Sequence, residues 1–165
     1  MPRISAAVRV ELLLFAFALA IRGLSLPAPS TTPIATMLSG DAVSYDAWAR
    51  RIAAGDWLGR HEGVFYQAPL YPYFLAAVYS VFGDGVAMVR FIQAIIGAGS
   101  CVLLAAAGIS LFGRWGAIAG VLLAIYPPGI FLDGLLEKTA LVTFFTAALV
   151  FLIAGQIKFR EFLVG

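Results

Sequence analysis

Residues 86–112, 115–132 and 136–157 form three apolar runs that fill most of the second half of the chain. A helix needs about 20 consecutive apolar residues to cross the hydrocarbon layer of a bilayer, and each run meets or approaches that length. Charged residues make up 12% of the chain and hydrophobic residues 62%, whereas a soluble domain carries about 25% charged residues. A water-soluble domain and a disordered chain are therefore excluded. A disulfide scaffold is excluded too, since the single cysteine, Cys101, lies inside the first of these runs. A net charge of +2 is too small to indicate nucleic acid as a partner. The expectation is an all-α, polytopic transmembrane helical bundle embedded among membrane lipids.

A fourth run, residues 8–26, has Glu11 near its start and Arg22 near its end, close enough for both charges to snorkel. Arg22 stands where a signal-peptide cleavage region is small and uncharged, so the run is expected to be retained as a span. Residues 27–85 then read as an outer loop with short interfacial helices. Within it, residues 40–55 predict an amphipathic helix along the membrane surface, capped by Asp41 or Ser39 and ended by Gly55. Asp41, Tyr45 and Trp48 fall at i, i+4 and i+7, on one face. Residues 69–83 are rich in Tyr and Phe, but as a helix they cover only about 22 Å at 1.5 Å per residue. They suit the interface better than a crossing.

The distribution of Lys and Arg decides between four and five spans. With four, Arg3, Arg9, Arg114, Lys158 and Arg160 all fall on the cytoplasmic side together with the N-terminus, as the positive-inside rule requires. The same arrangement gathers Asp41, the polar loop, Asp133 and Glu137 on the outer face of what would be a bacterial inner membrane. Tyr126-Pro127-Pro128-Gly129 predicts a break or kink before Asp133.

Ionisable groups at the membrane edge are costly and mark functional candidates. Asp41 opens a helix, where the dipole favours a carboxylate, and reads either as a cap or as a reactive group. Asp133 and Glu137 are spaced i, i+4 at the start of the last run, which would place both on one helical face, with Lys138 partly neutralising them. Arg90, three residues before Gln93, suits a phosphate, whether of a substrate or of a lipid headgroup. His61 beside Glu62 is weak as a metal site. Among familiar motifs, Cys-x-x-Cys, His-Glu-x-x-His, Gly-x-Ser-x-Gly and a Gly-rich phosphate loop do not occur.

The order of several short motifs is more specific than any one of them. These are the Arg-terminated first run, Asp41-x-x-x-Tyr45, Ala49 to Trp57, Gln67-Ala-Pro69-Leu70-Tyr71-Pro72-Tyr73, Phe82-Gly83 and Val89-Arg90-Phe-Ile-Gln93. Together they resemble the N-terminal part of membrane-embedded GT-C glycosyltransferases, in the group that holds protein O-mannosyltransferases and lipid A aminoarabinose transferases. The resemblance implies transfer of a sugar from a polyprenyl-phosphate donor to a lipid, glycan or protein acceptor on the outer face. It implies a catalytic carboxylate at Asp41, with a second at Glu137 or Asp133. Tyr45, Gln67, Tyr71 and Arg90 would contact substrate. Many members have an Asp-Glu pair where this chain has Asp41-Ala42.

The chemistry asks for a carboxylate base, a cation from Arg or a divalent metal ion against the leaving phosphate, and an apolar groove for the lipid. Enzymes of this kind have two to three times as many spans, so the resemblance also implies a truncated or partial enzyme. The alternative from a different class is a non-catalytic membrane scaffold, in which Asp41, Asp133 and Glu137 need not converge.

Overall fold

The computed structural model describes residues 6–26, 38, 40–58 and 67–164, and these are all-helical apart from turns and connections. The helices are α1 (Ala6–Ser25), α2 (Asp41–Ala53), α3 (Leu70–Phe82), α4 (Val86–Phe112), α5 (Ile118–Ala124), α6 (Pro127–Asp133) and α7 (Thr139–Val164). A 3₁₀ turn, Gly113–Ala117, joins α4 to α5. It starts at Gly113 with φ 67°, a left-handed conformation that costs other residues a clash of Cβ with the backbone.

Small residues then let α5 fold back tightly along α4. A Cβ on Gly116 would run into the backbone of Gly108, and one on Gly120 would meet the Cys101 carbonyl and the Ala105 methyl. This is the close backbone approach that small residues permit where dispersion packing holds helices together. The pairing is antiparallel, since Gly116 faces Gly108 whereas the later Gly120 faces the earlier Cys101. On the other side, α7 runs parallel to α4: Phe144 lies against Gly99, and the Ser110 hydroxyl donates to the Ala154 carbonyl at 3.5 Å. Helix α1 runs antiparallel to α4, its Arg22 beside Gly97 and its Leu14 and Ala18 packed with Ala98, Cys101, Ala105 and Ala124. The result is four alternating passes: α1, α4, the α5–α6 pair, and α7.

Among the described residues, two helical stretches are long and apolar enough to cross a membrane, Val86–Ala124 and Thr139–Ile157. The first is itself the hairpin of α4 and α5. The expected run 115–132 is not one helix, because its backbone breaks after Ala124 and restarts with Pro127 and Pro128 in the first turn of α6. Proline has no N–H to donate and so suits that position.

Helices α2 and α3 cover the end of the bundle formed by the start of α4 and the segment between α6 and α7. Their apolar faces meet each other and Val89, Leu136 and Leu141. The buried face of α2 is Ala42, Tyr45, Trp48, Ala49 and Ile52, so this face is spent on protein packing rather than on a membrane surface. At 13 residues, α3 is about 20 Å long, short of a crossing. An ionic network clamps the pair. Asp46 accepts from Arg50 at 2.8 Å and from the Tyr79 hydroxyl at 2.6 Å, while Arg50 also pairs with Asp84 and lies over the Tyr79 ring.

Candidate functional site

The residues that meet beneath α2 and α3 come from four helices. Tyr45 of α2 and Tyr71 of α3 are buried edge to face, ring centroids 5.0 Å apart. The Tyr71 hydroxyl donates to Gln93 Oε1 of α4 at 2.5 Å. In turn Gln93 Nε2 donates to the backbone carbonyls of Asp133 at 2.8 Å and Leu135 at 2.6 Å. One buried amide thereby ties α3 and α4 to the connection between α6 and α7. At the end of that connection Lys138 Nζ donates to the Tyr45 hydroxyl at 3.3 Å.

Lys138 follows Glu137 in sequence, and its hydrogen bond to Tyr45 brings it to α2, whose first turn holds Asp41. Its pKa is raised, first by the hydrogen bond to Tyr45 and then by the charges of Asp41 and Glu137. Asp41 is exposed in the first turn of α2, and the N-cap position belongs to Gly40, so Asp41 does not hold the cap position. Glu137 is half-buried and acts on Tyr71 as well. Burial first, and then Tyr79, Glu137 and Tyr45, push the Tyr71 phenol above its ordinary range, which keeps it a neutral donor to Gln93.

Asp133 goes elsewhere. The expected i, i+4 pair does not share a helical face, because α6 ends at Asp133 and α7 begins only at Thr139. The Asp133 carboxylate turns inward and accepts from Arg22 Nε at 2.7 Å, with both residues buried. Arg22 also donates to the Ala18 and Ala124 carbonyls at 3.3 and 3.5 Å. Far from snorkelling at the end of α1, Arg22 is neutralised within the bundle.

Arg90 is buried in the first turns of α4, next to Val89 of the end cluster, rather than at the surface. Gln67 is half-buried in the bend that precedes α3. His61 and Ser39 lie outside the described residues.

Beside Lys138, a groove of about 290 Å³ runs between the start of α3 and α7, lined by Leu70, Tyr71, Leu141, Val142, Phe145 and Thr146 together with Ala68 and Lys138. Among the described residues no three His, Cys, Asp or Glu side chains come together to hold a metal ion.

Sequence reasoning assigned Lys138 only a neutralising part and gave Gln93 no role of its own. The signal was present for Lys138, an ionisable group at the edge of an apolar run. No local signal marks Gln93 as the tie for a connection some forty residues later.

Residues 66–164, which span α3 to α7, match the dolichyl-phosphate-mannose-protein mannosyltransferase family. Comparison with curated proteins and with solved structures gave no match. The chain belongs to this family of membrane glycosyltransferases. The matched segment holds Tyr71, Arg90, Gln93, Asp133, Glu137 and Lys138, while Asp41 and Tyr45 precede it.

Proposed function

We propose that the chain transfers a sugar from a polyprenyl-phosphate donor to an acceptor hydroxyl at the outer face of the membrane, with Asp41 as general base and Glu137 as its partner carboxylate. The observation that carries this reading is that Lys138, the residue after Glu137, donates to Tyr45, one helical turn after Asp41, and so ties the two carboxylate-bearing segments together. The acceptor oxygen attacks the anomeric carbon and gives its proton to Asp41. The bond from that carbon to the phosphate oxygen breaks, and its electron pair leaves with the lipid phosphate. Glu137, close to Tyr71, orients the sugar. Asp133 takes no part, being held by Arg22.

The orientation belongs to the same proposal. All four passes cross the membrane, α1 among them because Asp133 neutralises the charge of Arg22 within it. Arg114 in the α4–α5 turn, and Lys158 and Arg160 late in α7, then lie at the cytoplasmic end. The end covered by α2 and α3 faces outward.

Transfer from a radiolabelled polyprenyl-phosphate sugar by the purified chain in lipid nanodiscs tests the reading. Asp41→Asn should slow turnover by about 10²–10⁴-fold, the usual contribution of a positioned base, and Glu11→Gln, in α1, should leave it unchanged. Equal turnover in Asp41→Asn and the unaltered chain, or none in the unaltered chain, overturns it. Asp46→Asn is a poor control, since Asp46 clamps α2 to α3.

A further inference from the structure

The end of the bundle opposite α2 and α3 carries a second groove, of about 440 Å³, between α4, α5 and α7. Small residues keep it open, since Gly108 and Gly116 line it in backbone contact with each other. Leu104, Leu122 and Val150 give it aliphatic walls, and Phe112 and Trp115 stand at the α4–α5 turn with more than half of their surface exposed. From Leu104 to Phe112 the groove follows α4 for eight residue steps (112 − 104), about 12 Å at 1.5 Å per residue. One leaflet of a hydrocarbon core about 30 Å thick is about 15 Å deep, so an acyl chain lying along α4 matches the groove in length. The volume is less than half that of a helix about 10–12 Å across over the same distance. The groove therefore suits a lipid chain better than a further helix.

Its mouth is cationic. Arg114, exposed in the turn, holds its guanidinium 4.9 Å from the centroid of the Trp115 ring, and among the described residues no carboxylate pairs with it. Helix α7 runs toward the same end, and in its final residues Lys158 and Arg160 outnumber Glu161. A soluble anion would leave the apolar walls uncovered, and a zwitterionic headgroup would bring a cation toward Arg114. Asp41 and Glu137 belong to the other end of α4, whose 27 residues extend about 40 Å, so the ligand here is not a substrate. We propose that this groove binds an anionic glycerophospholipid, with its phosphate on Arg114 and one acyl chain along Leu104, Leu122 and Val150. In the orientation proposed above, that lipid belongs to the cytoplasmic leaflet, whose surface is negative.

Trp115 lines the groove and reports its occupant. A Trp48→Phe/Trp57→Phe protein keeps Trp115 as its one tryptophan. Its fluorescence is measured in phosphatidylcholine vesicles containing graded amounts of dibrominated phosphatidylglycerol or dibrominated phosphatidylcholine. Phosphatidylglycerol should quench Trp115 with a relative binding constant about fivefold above that of phosphatidylcholine, the contribution of one basic residue near a membrane surface. Arg114→Gln should abolish the preference and Arg114→Lys should retain most of it. Val150→Phe, which narrows the groove without touching the charge, should reduce it. A preference that survives Arg114→Gln overturns the assignment of the headgroup. One that is lost in Arg114→Gln but unchanged in Val150→Phe is surface attraction alone and overturns the groove. Trp115 quenched by neither lipid means that protein covers it, as a second copy would, and overturns the proposal. Native mass spectrometry of the chain with all three tryptophans should show the same order of lipids, and the reverse order overturns the proposal independently of the Trp48 and Trp57 substitutions.

Discussion

Arg22 and Asp133, 111 positions apart in the chain, meet as a buried ion pair at 2.7 Å that joins α1 to the end of α6. Breaking such a pair by removing one member leaves an uncompensated buried charge and costs about 3–5 kcal/mol, whereas replacing both members with apolar residues is often close to neutral. Arg22→Met and Asp133→Leu should therefore each lower the thermal unfolding temperature in detergent sharply, and the double variant should recover most of the loss. A double variant as unstable as the sum of the singles would mean that the pair is not coupled.

The same pair depends on a glycine. A Cβ at Gly97 would run into Asp133 Oδ2 and come within 2.6 Å of Arg22 Nε. Gly97→Ala should accordingly destabilise the fold although it replaces a helical glycine. Gly155→Ala in α7 has nothing within 4 Å of the added methyl and should gain up to about 1 kcal/mol of helix propensity. Opposite signs in paired unfolding measurements are the expected outcome.

These examples show where the sequence was legible. Apolar runs and the Pro127-Pro128 break are local properties of the chain, and they gave the helical class, the interruption before Asp133 and the shortness of α3. The i, i+4 reading of Asp133 and Glu137 was local as well, but it assumed a continuous helix through Gly134-Leu-Leu, where the chain instead leaves helical geometry. Once it does, burial and a distant arginine decide where Asp133 points, and nothing near it in sequence records that. Asp41 and Glu137 were brought to one face by the Lys and Arg distribution and given a shared role only by the family resemblance. The contact of Lys138 with Tyr45 of α2 had no local signal.

Gln93 offers a test of how that end is held. Gln93→Leu removes the donor to the Asp133 and Leu135 carbonyls and the acceptor for Tyr71. Buried polar groups left unpaired cost about 1–3 kcal/mol each. Amide hydrogen exchange across residues 133–138 should rise, and sugar transfer should fall with it, because Glu137 and Lys138 lose their position. Faster exchange with unchanged transfer would show that the connection does not position the site.

The ionisation of Lys138 tests whether Asp41 and Glu137 act at one centre. Tyr45, Asp41 and Glu137 hold its pKa above the ordinary lysine value. Its favourable interactions are thus complete below that value and fade only as pH rises through the raised one. The chain has two lysines, Lys138 and Lys158, so a ¹³C-dimethylated Lys158→Arg protein gives one lysine NMR signal to titrate, apart from that of the α-amino group. Tyr45→Phe should lower the midpoint most, since that hydrogen bond is the largest cause, and Asp41→Asn and Glu137→Gln should each lower it by less. An Asp41→Asn midpoint identical to that of the unaltered chain would place Asp41 beyond electrostatic reach of Lys138 and remove the basis for two carboxylates acting at one centre.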